Sequence, residues 1–302
     1  MKYGCWILAA VLGGVASAAD PLPEDTNQIK TLTAEQAQTL PPSRKKTSVA
    51  TLSLDGLTTL PDDVAAALSR RTDITLVSLN GLTTLSAEAA KALAGRVGEL
   101  SLDGLTTLSD EAATALGQFK GGLSLDGLTT LSDAQAKALW PNKRMLSLDG
   151  LTTLSGEAAV QIVQSRDVTL SLNGLTTIPD ETAKALAVKQ GGKVVVGEKQ
   201  GGLLLSGLTT LSNDAAAALA QRRSAVSLSG LTTLSDEAAK AFAAQIGWLY
   251  LDGLTTLSDE SAKALAKHEG LLSLHGLTTL SDGAAAALRA NNRISLPLKF
   301  RR

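Results

Sequence analysis

Reactive side chains are scarce in this sequence. It has one cysteine, Cys5, and two histidines, His268 and His275. That excludes a disulfide framework, and no paired histidine ligands occur. No nucleophile elbow and no phosphate-binding glycine loop occurs either. Aromatic residues make up 3% of the chain, and 28 Lys and Arg stand against 29 Asp and Glu. The basic stripe that nucleic-acid binding normally needs is therefore missing. After an N-terminal apolar run from Cys5 to Ala16 no second stretch could enter a bilayer. These absences point to a non-enzymatic protein without metal or cofactor.

What is present is repetition. The stretch 100–116, LSLDGLTTLSDEAATAL, recurs ten times, anchored on Gly56, Gly81, Gly104, Gly127, Gly150, Gly174, Gly207, Gly230, Gly253 and Gly276. The spacings are 25, 23, 23, 23, 24, 33, 23, 23 and 23 residues, as in a stacked solenoid. Within a copy, Leu100 and Leu102 alternate with Ser101 and Asp103, which predicts a short strand with one buried face. Asp103-Gly104 reads as a turn at which glycine makes a positive φ inexpensive. Leu105 and Leu108 point inward. Ser109 caps a helix whose first turn is acidic and whose inner face, Ala112, Ala113, Ala115 and Leu116, is mostly small. Pro61 and Pro179 replace that serine in two copies and also suit a helix entry. One copy buries too little to offset the entropy of ordering it, so copies must stabilise one another.

The order Leu-x-Leu, Leu, Leu, Ser-Asp and a helix ending in Ala-Leu resembles a leucine-rich repeat over roughly residues 51–298. It looks most like the cysteine-containing subtype, with Leu105 and its equivalents in place of the cysteine and copies a few residues shorter. The resemblance implies an α/β solenoid: a curved parallel sheet on one side, short helices on the other, and a partner usually held on the sheet side.

Read in order, residues 1–18 are expected to be a secretory signal peptide ending at Ala16-Ser17-Ala18, with an uncleaved anchor as the alternative. Export, to the periplasm, cell surface or medium, follows, and the mature chain would lack cysteine. Residues 19–30 read as a flexible leader, and 31–50 as a capping helix, Thr33 to Leu40, with a link whose basic run is a solvated loop. The solenoid spans 51–293. It is interrupted at 188–202, where KQGG occurs twice. Val194–Val196 falls where a strand is due, but Leu203 begins another only nine residues later. The insertion is thus a hairpin-like excursion or a protruding loop, either a recognition element or a tolerated duplication. In 294–302, Ile294, Leu296 and Leu298 have strand spacing, no helix follows, and Pro297 and a basic tail discourage edge pairing.

Three surface columns are candidates for function. Ser53, Ser78, Ser101, Ser124, Ser147, Ser171, Ser227 and Ser273 predict an exposed hydroxyl column. Beside it run Asp55, Asn80, Asp103, Asp126, Asp149, Asn173, Ser206, Ser229, Asp252 and His275. These are read as acceptors for their own turns in preference to a cation site, which needs more converging oxygens. The Thr-Thr pair is expected to bond the backbone with one hydroxyl and face water with the other. His268 reads as part of a solvated turn, and His275 as a neighbour of Asp252. The residues that break the pattern on outward strand positions are Leu204, Trp248, Tyr250, Leu271 and His275; with Asp252 they form the candidate site, and aromatic anchors beside charge are what binding hot spots contain. They support a monomeric module that binds a protein partner on its sheet face. The near-identity of the copies supports the alternative, a structural spacer of the cell surface.

Overall fold

The structure is a computed structural model that describes residues 22–42, 50–139, 144–163, 169–187 and 202–301. The signal-peptide region, the basic run of the link and the insertion as far as Gly201, including Val194–Val196, lie outside the described residues. The strands are β1 Thr51–Ser53, β2 Leu76–Ser78, β3 Glu99–Ser101, β4 Gly122–Ser124, β5 Met145–Ser147, β6 Thr169–Ser171, β7 Leu203–Leu204, β8 Val226–Ser227, β9 Leu249–Tyr250, β10 Leu272–Ser273 and β11 Ile294–Ser295. The helices are α1 Ala34–Thr39, α2 Asp62–Ser69, α3 Ala87–Ala94, α4 Asp110–Gly117, α5 Asp133–Leu139, α6 Gly156–Ile162, α7 Asp180–Leu186, α8 Asn213–Leu219, α9 Asp236–Ala243, α10 Asp259–Leu265 and α11 Asp282–Arg289.

The eleven strands form one parallel sheet in chain order, with a helix between each pair of neighbours, so the chain is an α/β solenoid of leucine-rich-repeat type. Equivalent residues of successive copies pair directly: Ser124 with Ser147, Ser147 with Ser171. Across the insertion Leu170 still pairs with Leu203, so β6 meets β7 with no strand between them. Strands repeat about every 4.8 Å whereas packed helices want 8–10 Å. The alanine-rich inner helix faces reduce that mismatch, and the remainder bends the stack with its sheet on the inner side.

Leucine spacing places the core. Leu100, Leu102, Leu105, Leu108, Ala112, Ala113 and Leu116 are all buried. The counterparts of Leu102, Leu105 and Leu116 are buried along the stack, whereas most counterparts of Leu108 are half-buried. Ser109 accepts the Ala112 N–H at 3.1 Å as the N-cap of α4. Ser86, Ser155, Ser212, Ser235, Ser258 and Ser281 cap their helices in the same way, whereas Pro61 and Pro179 give only the extended entry. The capping hydroxyl has a second use. Ser86 donates to Asp62 at 2.7 Å, Ser155 to Asp133 at 2.6 Å and Ser235 to Asn213 at 2.6 Å, which ties these helix starts to the ones before them.

The repeated glycine is explained differently from the expectation. Among the described residues only Gly98 has a positive φ. Gly127 is required by closeness: a Cβ there would lie 2.2 Å from the Asp103 carbonyl oxygen and 2.6 Å from that of Leu105. Sheet spacing brings two turns together backbone to backbone, and no side chain fits between them.

The leader reading gives way before α1. Thr26–Gln28 form a 3-10 turn, Ile29 and Leu32 are buried, and Thr26 Oγ1 donates to the Ser53 carbonyl at 2.5 Å. Asn27, Ile29, Leu32, Thr33, Ala37 and Leu40 occupy the places of Asp55, Leu57, Leu60, Pro61, Ala65 and Leu68, which makes this segment a half-copy without its strand. Thr33 and Gln36 exchange hydrogen bonds as a capping box at α1. At the other end Leu298 leaves the strand. Pro297 opens a 3-10 turn over Leu298–Phe300, and Leu298 is exposed.

A polar column missed in the sequence runs behind the helices. Arg71 donates to the carbonyls of Ala37 and Leu40 at 2.9 and 2.8 Å, Arg96 to Ile74 at 3.2 Å, and Asn291 to Ala266 and His268 at 3.0 and 2.9 Å. His268 belongs here and not to a solvated turn. It is 1% exposed, with Nδ1 2.9 Å from the Phe242 carbonyl oxygen and Nε2 3.1 Å from that of Gly247. Helix ends leave carbonyls without partners, and Arg71, His268 and Asn291 supply side chains to such carbonyls of the copy before.

Candidate interaction face

Alternation along a strand sends every second residue outward, so the sheet face is built of three columns. The first runs Thr51, Leu76, Glu99, Gly122, Met145, Thr169 and continues through Gly202, Ala225, Trp248, Leu271 and Arg293. The second is the serine column with Leu204 and Tyr250, and the third is the Asp column.

The serines are not the exposed hydroxyls expected. Ser78, Ser147, Ser171 and Ser227 are buried, and the others are half-buried. Six of the eight donate to the acidic or amide side chain of the preceding copy, among them Ser78 to Asp55 at 2.5 Å, Ser124 to Asp103 at 2.5 Å, Ser147 to Asp126 at 2.6 Å and Ser273 to Asp252 at 2.6 Å. The same oxygen also takes a backbone N–H of the following copy. Asp126 N–H reaches Asp103 Oδ1 at 3.0 Å, Asp149 N–H reaches Asp126 Oδ1 at 2.8 Å, and His275 N–H reaches Asp252 Oδ1 at 2.9 Å. The column thus caps the next turn and not its own, because a side chain leaning along the stack reaches a neighbour 4.8 Å away more directly than it folds back. Asn27 supplies the first acceptor, to Asp55 N–H at 3.3 Å. At Ser206 the reach is too short, and its hydroxyl meets that of Ser227 at 2.8 Å.

Both threonines of the pair are exposed in all ten copies. Only the first of them bonds along the stack, as in Thr278 Oγ1 to the Thr255 carbonyl at 3.0 Å. The expected division into one backbone-bonded and one solvated hydroxyl is seen in the copies of Thr152, Thr209 and Thr278.

Five of the six candidate residues lie along the adjacent strands β9 and β10. Trp248 and Leu271 precede β9 and β10 in the first column and are 43% and 47% exposed. Backbone pairing continues through them, with Val226 N–H on the Trp248 carbonyl and Leu249 N–H on that of Leu271, both at 2.8 Å. Tyr250 is half-buried in the second column, in register with Ser227 and Ser273. Leu204 sits two strands away, in register with Ser227. Asp252 and His275 complete the group in the third column: His275 Nδ1 is 4.0 Å from Asp252 Oδ1, and Nε2 is 2.6 Å from Ser295 Oγ. The sequence reading passed over Met145, which is 43% exposed in the same column as Trp248. Following one position through every copy would have found it.

Charge is uneven. Among outward strand positions of β1–β10 stand Glu99 and five aspartates but no Lys or Arg; Arg293, beside β11, is the first. Behind the sheet, burial pushes the Arg96 and Arg222 guanidinium groups down to about 10. Among the described residues no group of three or more His, Cys, Asp or Glu could hold a metal ion, and no helix is long and apolar enough to cross a membrane.

No known protein-family profile and no curated protein matches this sequence. A solved structure does: the chain is similar to that of TLR13, a leucine-rich-repeat protein, in a crystal structure of its complex with ssRNA13, at 18% identity and a TM-score of 0.52. The match takes in 86% of this chain and 36% of that one. At that identity the likeness is one of fold, and the fold it supports is the leucine-rich-repeat solenoid.

Proposed function

We propose that this chain is an exported, non-enzymatic interaction module, monomeric and without cofactor, that holds a protein partner on its sheet face at Leu204, Trp248, Tyr250, Asp252, Leu271 and His275. Within the leucine-rich repeats it is nearest the cysteine-containing subtype, with leucine at the cysteine position. The observation that carries the reading is the pair Trp248 and Leu271, two large apolar side chains nearly half exposed on adjacent strands. Such anchors dominate binding energy where they are desolvated by a partner. A second reading, a spacer whose length is set by copy number, is favoured by the near-identity of the ten copies.

The test is affinity capture from envelope and medium with the parent chain beside the double variant Trp248→Ala, Tyr250→Ser. Ala225 and Ser227 already occupy these positions one strand earlier, so the variant keeps side chains the stack accommodates. A partner retained by the parent and lost by the variant supports the module. Identical capture by both leaves the spacer.

A further inference from the structure

We infer that the partner of this face is cationic: an extended basic segment whose apolar side chains rest on Trp248 and Leu271 while its lysines or arginines follow the aspartate column, an inference that rests on the sheet-face reading above. Asp55, Glu99, Asp103, Asp126, Asp149 and Asp252 give that face its charge, and the outward positions up to β10 carry no Lys or Arg to neutralise it. The fold does not need the charge. Asn80 makes the same two bonds with a neutral side chain, accepting Ser101 Oγ at 2.7 Å and Asp103 N–H at 2.8 Å. Asp103, Asp126 and Asp149 nevertheless follow one another at strand spacing, where like charges oppose each other. A row of ammonium or guanidinium groups laid along the column would relieve that opposition.

The chemistry is also local to the apolar pair. Trp248, Tyr250 and Asp252 alternate along one strand and so face the same side. The Asp252 side chain is 33% exposed, although Oδ1 already accepts Ser273 Oγ and His275 N–H. One Lys or Arg reaching this strand meets two aromatic faces and a carboxylate, the surroundings in which cation–π and ion-pair attraction add. A nucleic acid meets the reverse: its phosphates need cations from the protein, and this face offers carboxylates.

The probe is a fluorescent short peptide alternating arginine and leucine, compared by anisotropy with its glutamate-for-arginine counterpart and with a single-stranded oligouridine, at low and at physiological salt. Two variants accompany the parent chain: Trp248→Ala, and the five-fold change of Asp55, Asp103, Asp126, Asp149 and Asp252 to Asn, which keeps every ladder acceptor as Asn80 and Asn173 do. The arginine peptide is expected to bind the parent, to weaken about tenfold or more in each variant, and to weaken with salt; the glutamate peptide is expected not to bind. The inference is overturned if the two peptides bind alike, if the arginine peptide fails to bind, if the aspartates matter but Trp248 does not, or if oligouridine binds in a Trp248-dependent manner. Failure of the arginine peptide together with Trp248-dependent capture of a partner removes the cationic inference and leaves the sheet-face reading intact.

Discussion

Asp126 Oδ1 accepts the backbone N–H of Asp149, one copy further on, at 2.8 Å, and the hydroxyl of Ser147 at 2.6 Å. One oxygen thus holds two donors of the next copy that the packed stack keeps from water. Asp126→Asn preserves the acceptor and is expected to leave stability within about 0.5 kcal/mol, whereas Asp126→Ala strands both donors and should cost roughly 1–3 kcal/mol. Urea midpoints of the two variants check this, and equal losses would show that charge and not acceptance is what Asp126 contributes.

Glycine in the repeated turn is expected to be irreplaceable for a reason that backbone dihedrals do not reveal. Gly127→Ala places a Cβ 2.2 Å from the Asp103 carbonyl oxygen, so copies on either side must part; a loss of about 3 kcal/mol or more is expected. Gly156→Ala, at the start of α6, meets nothing nearer than 3.7 Å and should be neutral or stabilising by up to about 1 kcal/mol. Thermal unfolding of both proteins separates the cases. A tolerated Gly127→Ala would mean that the turns can separate without penalty.

Arg96 is 3% exposed, and its Nε and Nη1 find no partner among the described residues. Burial depresses its pKa to about 10, so at neutral pH the folded chain carries a guanidinium that the unfolded chain solvates better. The next copy places Phe119 at the same point of the stack. Arg96→Met is therefore expected to be neutral or to stabilise by about 1–2 kcal/mol, despite losing the bond to Ile74. A loss of that size in a denaturant titration would instead assign Arg96 a net stabilising contact.

Asp236 accepts the hydroxyls of Ser258 and Ser261, and these bonds, Ser258 foremost, hold its carboxyl below the usual carboxylate range. With the folded pKa below the unfolded value near 4, its contribution is complete above that value and is lost as pH falls through the folded one. Asn213 shows that an amide serves in this position, accepting Ser235 Oγ at 2.6 Å. Asp236→Asn should match the parent near neutral pH and fade less on acidification. Parallel pH–stability curves for the two would remove Asp236 from the acid response.

The sequence made legible whatever one copy decides alone. Leu100 to Leu116 declared strand, turn and helix by their spacing, and Ser109 announced its cap. What stayed hidden were relations between copies. Asp103 looks like an acceptor for its own turn until the next strand is placed beside it, Gly104 like a dihedral requirement until the neighbouring carbonyls are in position, and His268 like a surface residue until the end of α9 arrives above it. The helical half of the N-terminal cap, Thr33 to Leu40, was legible, but its extension back to Asn27 was not, because it lacks the glycine and the strand by which the others are found. The patch at Trp248 was visible as a departure from repetition, but its acidic setting became visible only when the columns were aligned.

The side-chain acceptors of the sheet-face column all serve one direction: Asn27, Asp55, Asn80, Asp103, Asp126, Asp149, Asn173 and Asp252 each accept a backbone N–H of the copy that follows. The half-copy at Asn27 therefore stands as a template made before anything needs it. A chain leaving the ribosome amino-terminus first presents every new repeat with acceptors already set in place, so the stack can be laid down in the order of its synthesis.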